Sequence, residues 1–99
     1  MTAFYRARFS DGAVRVRKGV TKVYAAAWRA VGRYTTKDGV THDVVEGGFS
    51  GSDDQAYRNR DATVAWLKRG YRVEWTVFEV VPLDVITEKT FDAIQREQQ

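Results

Sequence analysis

Apolar and polar residues alternate from the start of the chain. In Phe4 to Phe9, Tyr5, Ala7 and Phe9 fall on one side and Phe4, Arg6 and Arg8 on the other, and Val14-Arg15-Val16-Arg17 repeats the pattern after Ser10-Asp11-Gly12. A period of two on either side of Asp-Gly predicts a β-hairpin. With Asp11 and Gly12 as a two-residue loop, Phe9 faces Val14, Arg8 faces Arg15, Ala7 faces Val16 and Arg6 faces Arg17. One face of that hairpin is apolar and the other carries four arginines.

The next segment supports two periods. Val20, Val23/Tyr24, Ala27 and Val31 fit a helix stopped by Gly32, whereas Tyr24, Ala26, Trp28 and Ala30 fit one face of a strand. The Lys37-Asp38-Gly39 turn and the β-prone run Val40 to Val45 require an outgoing strand that reaches Tyr34, which favours the strand. A short helix over 21–31 is the alternative. Gly47-Gly48-Phe49-Ser50-Gly51-Ser52 is expected to break the sheet. Ser52-Asp53-Asp54-Gln55 has the form of a capping box and predicts a helix from Asp53 to Arg69 that stops at Gly70. Ala56, Tyr57, Val64 and Leu67 are its expected core residues, and Asn59 to Asp61 is its weakest stretch. Tyr71 to Val81 alternates Tyr71, Val73, Trp75 and Val77 against Arg72, Glu74, Thr76 and Phe78, and reads as a strand that Pro82 ends. Thr87 to Gln98, with Phe91 and Ile94 three apart, predicts a short C-terminal helix.

The predicted order is therefore β-β-β-β-α-β with a final helix. This is an α+β fold, a curved antiparallel sheet with one main helix packed across its apolar face. A chain of 99 residues, 43% of them hydrophobic, holds one core and one domain, 1–99. Its longest uncharged apolar stretch, Val23 to Trp28, falls far short of the ~20 residues that span a bilayer, so a soluble, cytoplasmic protein with no membrane partner is expected.

Chemistry is bounded by what the chain lacks. Zero Cys and a single His remove thiolate nucleophiles, redox pairs, multi-His metal sites and triads within one chain. His42-Asp43 occurs in metal-dependent phosphohydrolases, but on a strand the two side chains point to opposite faces. Asp43, Glu46, Asp53 and Asp54 match no calcium loop. Gly47 to Ser52 lacks the Lys and the spacing of a phosphate loop, and Asp53 and Asp54 would repel phosphate there. No cofactor and no metal are expected. An enzyme is retained only as a carboxylate-only or oligomer-interface site.

Charge changes the picture more. Residues 1–38 carry nine Lys/Arg against two Asp/Glu, while 39–99 carry seven against eleven. Arginines paired across a hairpin repel one another, and an anionic partner relieves that repulsion through bidentate guanidinium contacts. The candidate binding residues are Arg6, Arg8, Arg15 and Arg17, extended by Lys18, Arg29 and Arg33. The structural alternative is a solvated face partly neutralised by Glu46, Glu74 or Glu79. Phe4, Phe49 and Phe78 are expected in the core or covering an edge, rather than stacking on bases.

Tyr24-Ala-Ala-Ala-Trp28-Arg29, followed by Gly48-Phe49-Ser50-Gly51-Ser52 ahead of a helix, resembles short accessory proteins encoded by tailed phages of actinobacteria. The resemblance covers about half the chain and implies an accessory role in a host cell, with no catalytic residues to carry over. Together these features lead to a non-enzymatic binding module that meets an acidic macromolecule, a host protein rather than nucleic acid, through its arginine-rich face. The alternatives are nucleic-acid binding by the same face, or a homo-oligomer in which the basic hairpin of one copy meets Asp84, Glu88, Asp92 and Glu97 of another.

Overall fold

In a computed structural model, residues 2–65 and 71–98 are described. They form β1 (Ala3–Arg8), β2 (Val14–Gly19), β3 (Ala26–Thr35), β4 (Thr41–Ser50), α1 (Asp53–Ala65), β5 (Val73–Pro82), β6 (Asp84–Ile86) and α2 (Glu88–Glu97). The fold is α+β, and the segment with two possible periods is strand from Ala26 onward, with residues 21–25 outside it. In place of one curved sheet there are two antiparallel three-stranded sheets, ordered β2-β1-β6 and β4-β3-β5. Pro82 separates them: it stands opposite Ala26 at the end of the β3 ladder and has no N–H to continue it. After one residue the chain pairs with β1 instead, Asp84 to Ile86 against Arg6 to Phe4, a strand that the sequence pattern did not announce.

Both hairpins close with the same loop. Gly12 N–H donates to Phe9 O and Phe9 N–H to Ala13 O, just as Gly39 N–H donates to Thr36 O and Thr36 N–H to Val40 O. Gly12 and Gly39 have φ of 85° and 83°, and no other described residue has positive φ. This is the three-residue loop with a left-handed glycine at its end. The two-residue loop expected at Asp11-Gly12 needs positive φ at Asp11 as well, which is unfavourable for an L-residue. The extra loop residue moves the register by one: Arg8 pairs with Val14, Ala7 with Arg15, Arg6 with Val16 and Tyr5 with Arg17. A one-residue slip turns a whole strand over. The four arginines therefore do not share a face.

The larger core lies between α1 and one face of the β4-β3-β5 sheet. Ala26, Trp28, Ala30, Val44, Ala56 and Val64 are buried there, with Tyr34, Val73, Trp75, Phe78 and Val80 packed against them. The strict alternation expected of β5 fails at a bulge: Val31 pairs with Val77 but Gly32 with Trp75, so Thr76 has no opposite residue. Thr76 Oγ1 donates to Val31 O at 3.1 Å. The bulge lets Trp75 and Phe78, whose rings lie 5.0 Å apart, reach the same core although three residues separate them.

Helix α1 starts where expected, with Ser52 Oγ accepting from Gln55 N–H at 3.2 Å. The reciprocal half of the box is not made, because the Gln55 amide donates along the helix to Asn59 Oδ1. Asn59 to Asp61 does not break the helix. Asn59 Nδ2 donates to Ser50 Oγ, and the Arg60 guanidinium lies 3.9 Å from the centroid of the Phe78 ring. Tyr57, expected inside, is exposed, and its ring centroid lies 5.1 Å from the same guanidinium. Leu67, Lys68, Arg69 and the stop at Gly70 lie outside the described residues. Helix α2 is capped by Thr87 and sets Phe91 against Phe4, ring centroids 5.0 Å apart, on the β1-β2 hairpin.

A second core of Ala7, Phe9 and Ala27, flanked by Ala13, Phe49, Val81 and Leu83, joins the two sheets. The radius of gyration, 15.3 Å, exceeds the roughly 13 Å of a compact chain of about 100 residues, because the sheets overlap only over this small cluster. Among the described residues no helix is long and apolar enough to cross a membrane.

Candidate functional site

The structure divides the candidate residues into four groups. Arg6 and Arg8, on the face of β1 that also carries Phe4, both reach Asp84 Oδ2 of β6, at 3.4 and 2.9 Å. The basic hairpin thus meets an acid of the C-terminal segment within one chain, and Glu46, Glu74 and Glu79 make no ion pair with it among the described residues. Arg29 and Arg33, on β3, are paired too: Arg33 with Asp43 at 3.5 Å on an exposed face, Arg29 with Asp11 at 3.0 Å. Lys18 lines a separate depression between β2 and α2, beside Phe91 and Asp92.

Arg29 is tied down within the chain. Its side chain is only 12% exposed, and its Nε also donates to Asp11 Oδ2. Asp11 Oδ1 accepts the Ala13 N–H, which closes the loop locally. Partial desolvation raises the Asp11 pKa, but the Ala13 N–H and the Arg29 guanidinium outweigh it and hold the carboxyl below its ordinary value. On the neighbouring strand Glu79, directly opposite Arg29, accepts from both the Ser10 N–H and hydroxyl, at 2.8 and 2.7 Å. The loop whose length sets the hairpin register is therefore clamped by the other sheet.

Arg15 and Arg17 remain. They project from β2 toward β3 and β4, and with Phe9, Arg29 and Val45 to Phe49 they line a cleft of about 350 Å³. Arg17 Nε donates to the Tyr24 hydroxyl at 3.0 Å, and its guanidinium stands 5.3 Å from the centre of that ring, which in turn packs edge-on against Phe49. Arg15 bonds only its neighbour's carbonyl, Val14 O. Among the described residues neither has a carboxylate partner. Two guanidinium forks, held apart by one strand repeat and backed by aromatic rings, are suited to carboxylate or phosphate oxygens.

The opposite wall of the cleft is built by the two glycines expected to end the sheet. Instead β4 runs on through them, with Gly47 opposite Arg29 and Gly48 opposite Trp28. A Cβ on Gly47 would stand 2.9 Å from Trp28 O, and one on Gly48 would stand 3.0 Å from Trp28 Nε1. At Gly48 the edge of the indole lies where a side chain would stand. Trp28 is 5% exposed, yet its Nε1–H makes no hydrogen bond among the described residues. No wholly buried side-chain nitrogen or oxygen there lacks a partner, so this donor is not fully enclosed, and Trp28 is one of the residues that line the cleft.

Sequence reasoning named Arg15 and Arg17 but missed Trp28, Gly47, Gly48 and Tyr24 as parts of one site. The signal was the pair of segments Tyr24 to Arg29 and Gly48 to Ser52, which the β3-β4 ladder places side by side. His42 stacks on Tyr34 and Asp43 pairs with Arg33, on opposite faces as expected. Among the described residues no group of three His, Asp or Glu side chains could hold a metal ion. No protein-family model matches this chain, and no curated protein or solved structure matches it either.

Proposed function

We propose that the chain is a non-enzymatic binding module that takes an acidic segment of a partner protein into the cleft between β2 and β4. The observation that carries this reading is the state of Arg15 and Arg17, which face an aromatic-backed cleft without a carboxylate of their own. The other hairpin arginines are satisfied by Asp84. The phage resemblance supports a host protein as the partner and the host cytoplasm as the place of action. A protein is favoured over duplex DNA because the cleft gathers two guanidinium groups that have no carboxylate partner among the described residues, whereas phosphate-driven binding depends on neutralising many charges.

Calorimetric titration of the full chain with poly-glutamate and with random duplex DNA, each at several salt concentrations, tests the proposal. Poly-glutamate binding that disappears in an Arg15→Gln/Arg17→Gln variant is the expected result. Duplex binding with a log K against log salt slope steeper than about −3.6, the value for four phosphates, would overturn it.

A further inference from the structure

Building on that reading, we infer that the acidic segment binds as an added strand along the free edge of β4, beside Val45, Gly47 and Phe49. Its alternate acidic side chains meet Arg15 and Arg17, and an intervening side chain meets the Trp28 indole N–H. Strand β4 is the outer strand of its sheet. The Thr36–Val40 hydrogen bond at the hairpin end fixes which residues bond to β3: every second residue from Val40, including Val44, Glu46 and Gly48. The backbone groups of Asp43, Val45 and Gly47 therefore point away from the sheet, unpaired.

The other described edges are protected against such pairing, β6 by its length of only three residues. Strand β5 is interrupted by its bulge and ends in Pro82, and β2 carries Arg15, Arg17 and Lys18. Strand β4 runs for ten residues with no proline, no bulge and no lysine or arginine, and it carries two adjacent glycines where the cleft is formed. At Gly47 and Gly48 no side chain stands between an incoming backbone and the edge.

Charge and the indole then set the side-chain pattern. An added strand points alternate residues to opposite faces. Those on the side of Phe49 approach Arg15 and Arg17, which are themselves two residues apart on β2, so acids at positions i and i+2 match their spacing. The residue between them points to the other face, toward Gly48 and the Trp28 N–H. Glu46 lies on that side and disfavours a second carboxylate, so a neutral acceptor such as Ser or Asn fits there. Backbone hydrogen bonds would supply affinity and the alternating acids specificity.

The test uses the full chain, labelled with nitrogen-15, and a blocked peptide Thr-Glu-Ser-Glu-Ser-Glu-Thr. Two further peptides carry N-methyl groups on alternate amides, one set on the Glu residues and one on the Ser residues. The expected result is movement of the Val45, Gly47 and Phe49 amide resonances together with the Trp28 indole resonance. One N-methylated peptide should bind like the parent and the other not at all, since only one set of amides faces β4. Arg15→Gln/Arg17→Gln should weaken the parent peptide about tenfold. Binding that moves the Arg15 and Arg17 resonances but not those of β4, or equal binding of both N-methylated peptides, would overturn strand addition and leave the acidic-segment reading standing. Failure of the parent peptide to bind would overturn both. A dimer that protects the β4 amides without peptide would assign the edge to a second copy and overturn the inference.

Discussion

Replacing Gly32 by Ala places a methyl carbon 2.5 Å from the Glu74 carbonyl oxygen and 2.8 Å from Cε3 of Trp75. Neither neighbour can retreat easily. The carbonyl belongs to the bulged stretch of β5, which the Thr76–Val31 hydrogen bond ties to β3, and the indole is packed between Gly32 and Phe78 in the main core. Overpacking of this kind costs about 1–3 kcal/mol, and contact with constrained backbone belongs at the upper end. The lost freedom of the unfolded chain returns about 0.4–1 kcal/mol. The net is about 2 kcal/mol, which for a domain of this size lowers the melting temperature by roughly 8–16 °C. Gly12→Ala is the control, because nothing lies within 4 Å of its added Cβ and only the φ of 85° opposes it, at about 1–2 kcal/mol. Thermal unfolding followed by circular dichroism reads both. A Gly32→Ala protein that melts within about 2 °C of wild type would refute the bulge as the element that turns Trp75 and Phe78 into one core.

Arg60→Ala should cost about 1–2 kcal/mol in urea unfolding, since the side chain is only 14% exposed and its guanidinium lies over Phe78, while Arg60→Lys should recover only part of it. The pH dependence of stability should lose one component in Asp11→Asn. The folded-state pKa of Asp11 is depressed, so its contribution is complete well above the unfolded value of about 3.9 and is lost as pH falls through the lower folded value. Wild type should therefore melt above Asp11→Asn at pH 6, with the gap closing toward pH 3; a gap that widens on acidification would contradict the Asp11–Arg29 clamp.

The α+β class and most of its elements were legible because each rested on local chemistry: alternation for the strands, Ser52 for the helix start, glycine for the turns. Among the features that were not legible, three depend on contacts between distant segments. The hairpin register turned on one loop residue, and that loop is held by Arg29 on Asp11 and by Glu79 on Ser10, 18 and 69 residues away along the chain. The β5 bulge is hinted at by the adjacent apolar pair Val77-Phe78, but its position is set by Gly32 on another strand. Gly47 and Gly48 read as a break because glycine is a weak strand former. They are strand because Trp28, across the ladder, occupies the space their side chains would take. Arg60 was invisible for the opposite reason: a charged residue on a helix reads as solvent-facing until an aromatic face is placed beneath it.

The division of the hairpin arginines between two faces is tested most directly by two double variants measured against poly-glutamate at one salt concentration. Arg6→Gln/Arg8→Gln removes the pair held by Asp84, and Arg15→Gln/Arg17→Gln removes the pair that lines the cleft. The first should bind within about twofold of wild type and the second about tenfold more weakly. Equal losses from the two variants would mean that the four arginines act as a single platform, and would contradict both the register and the cleft built on it.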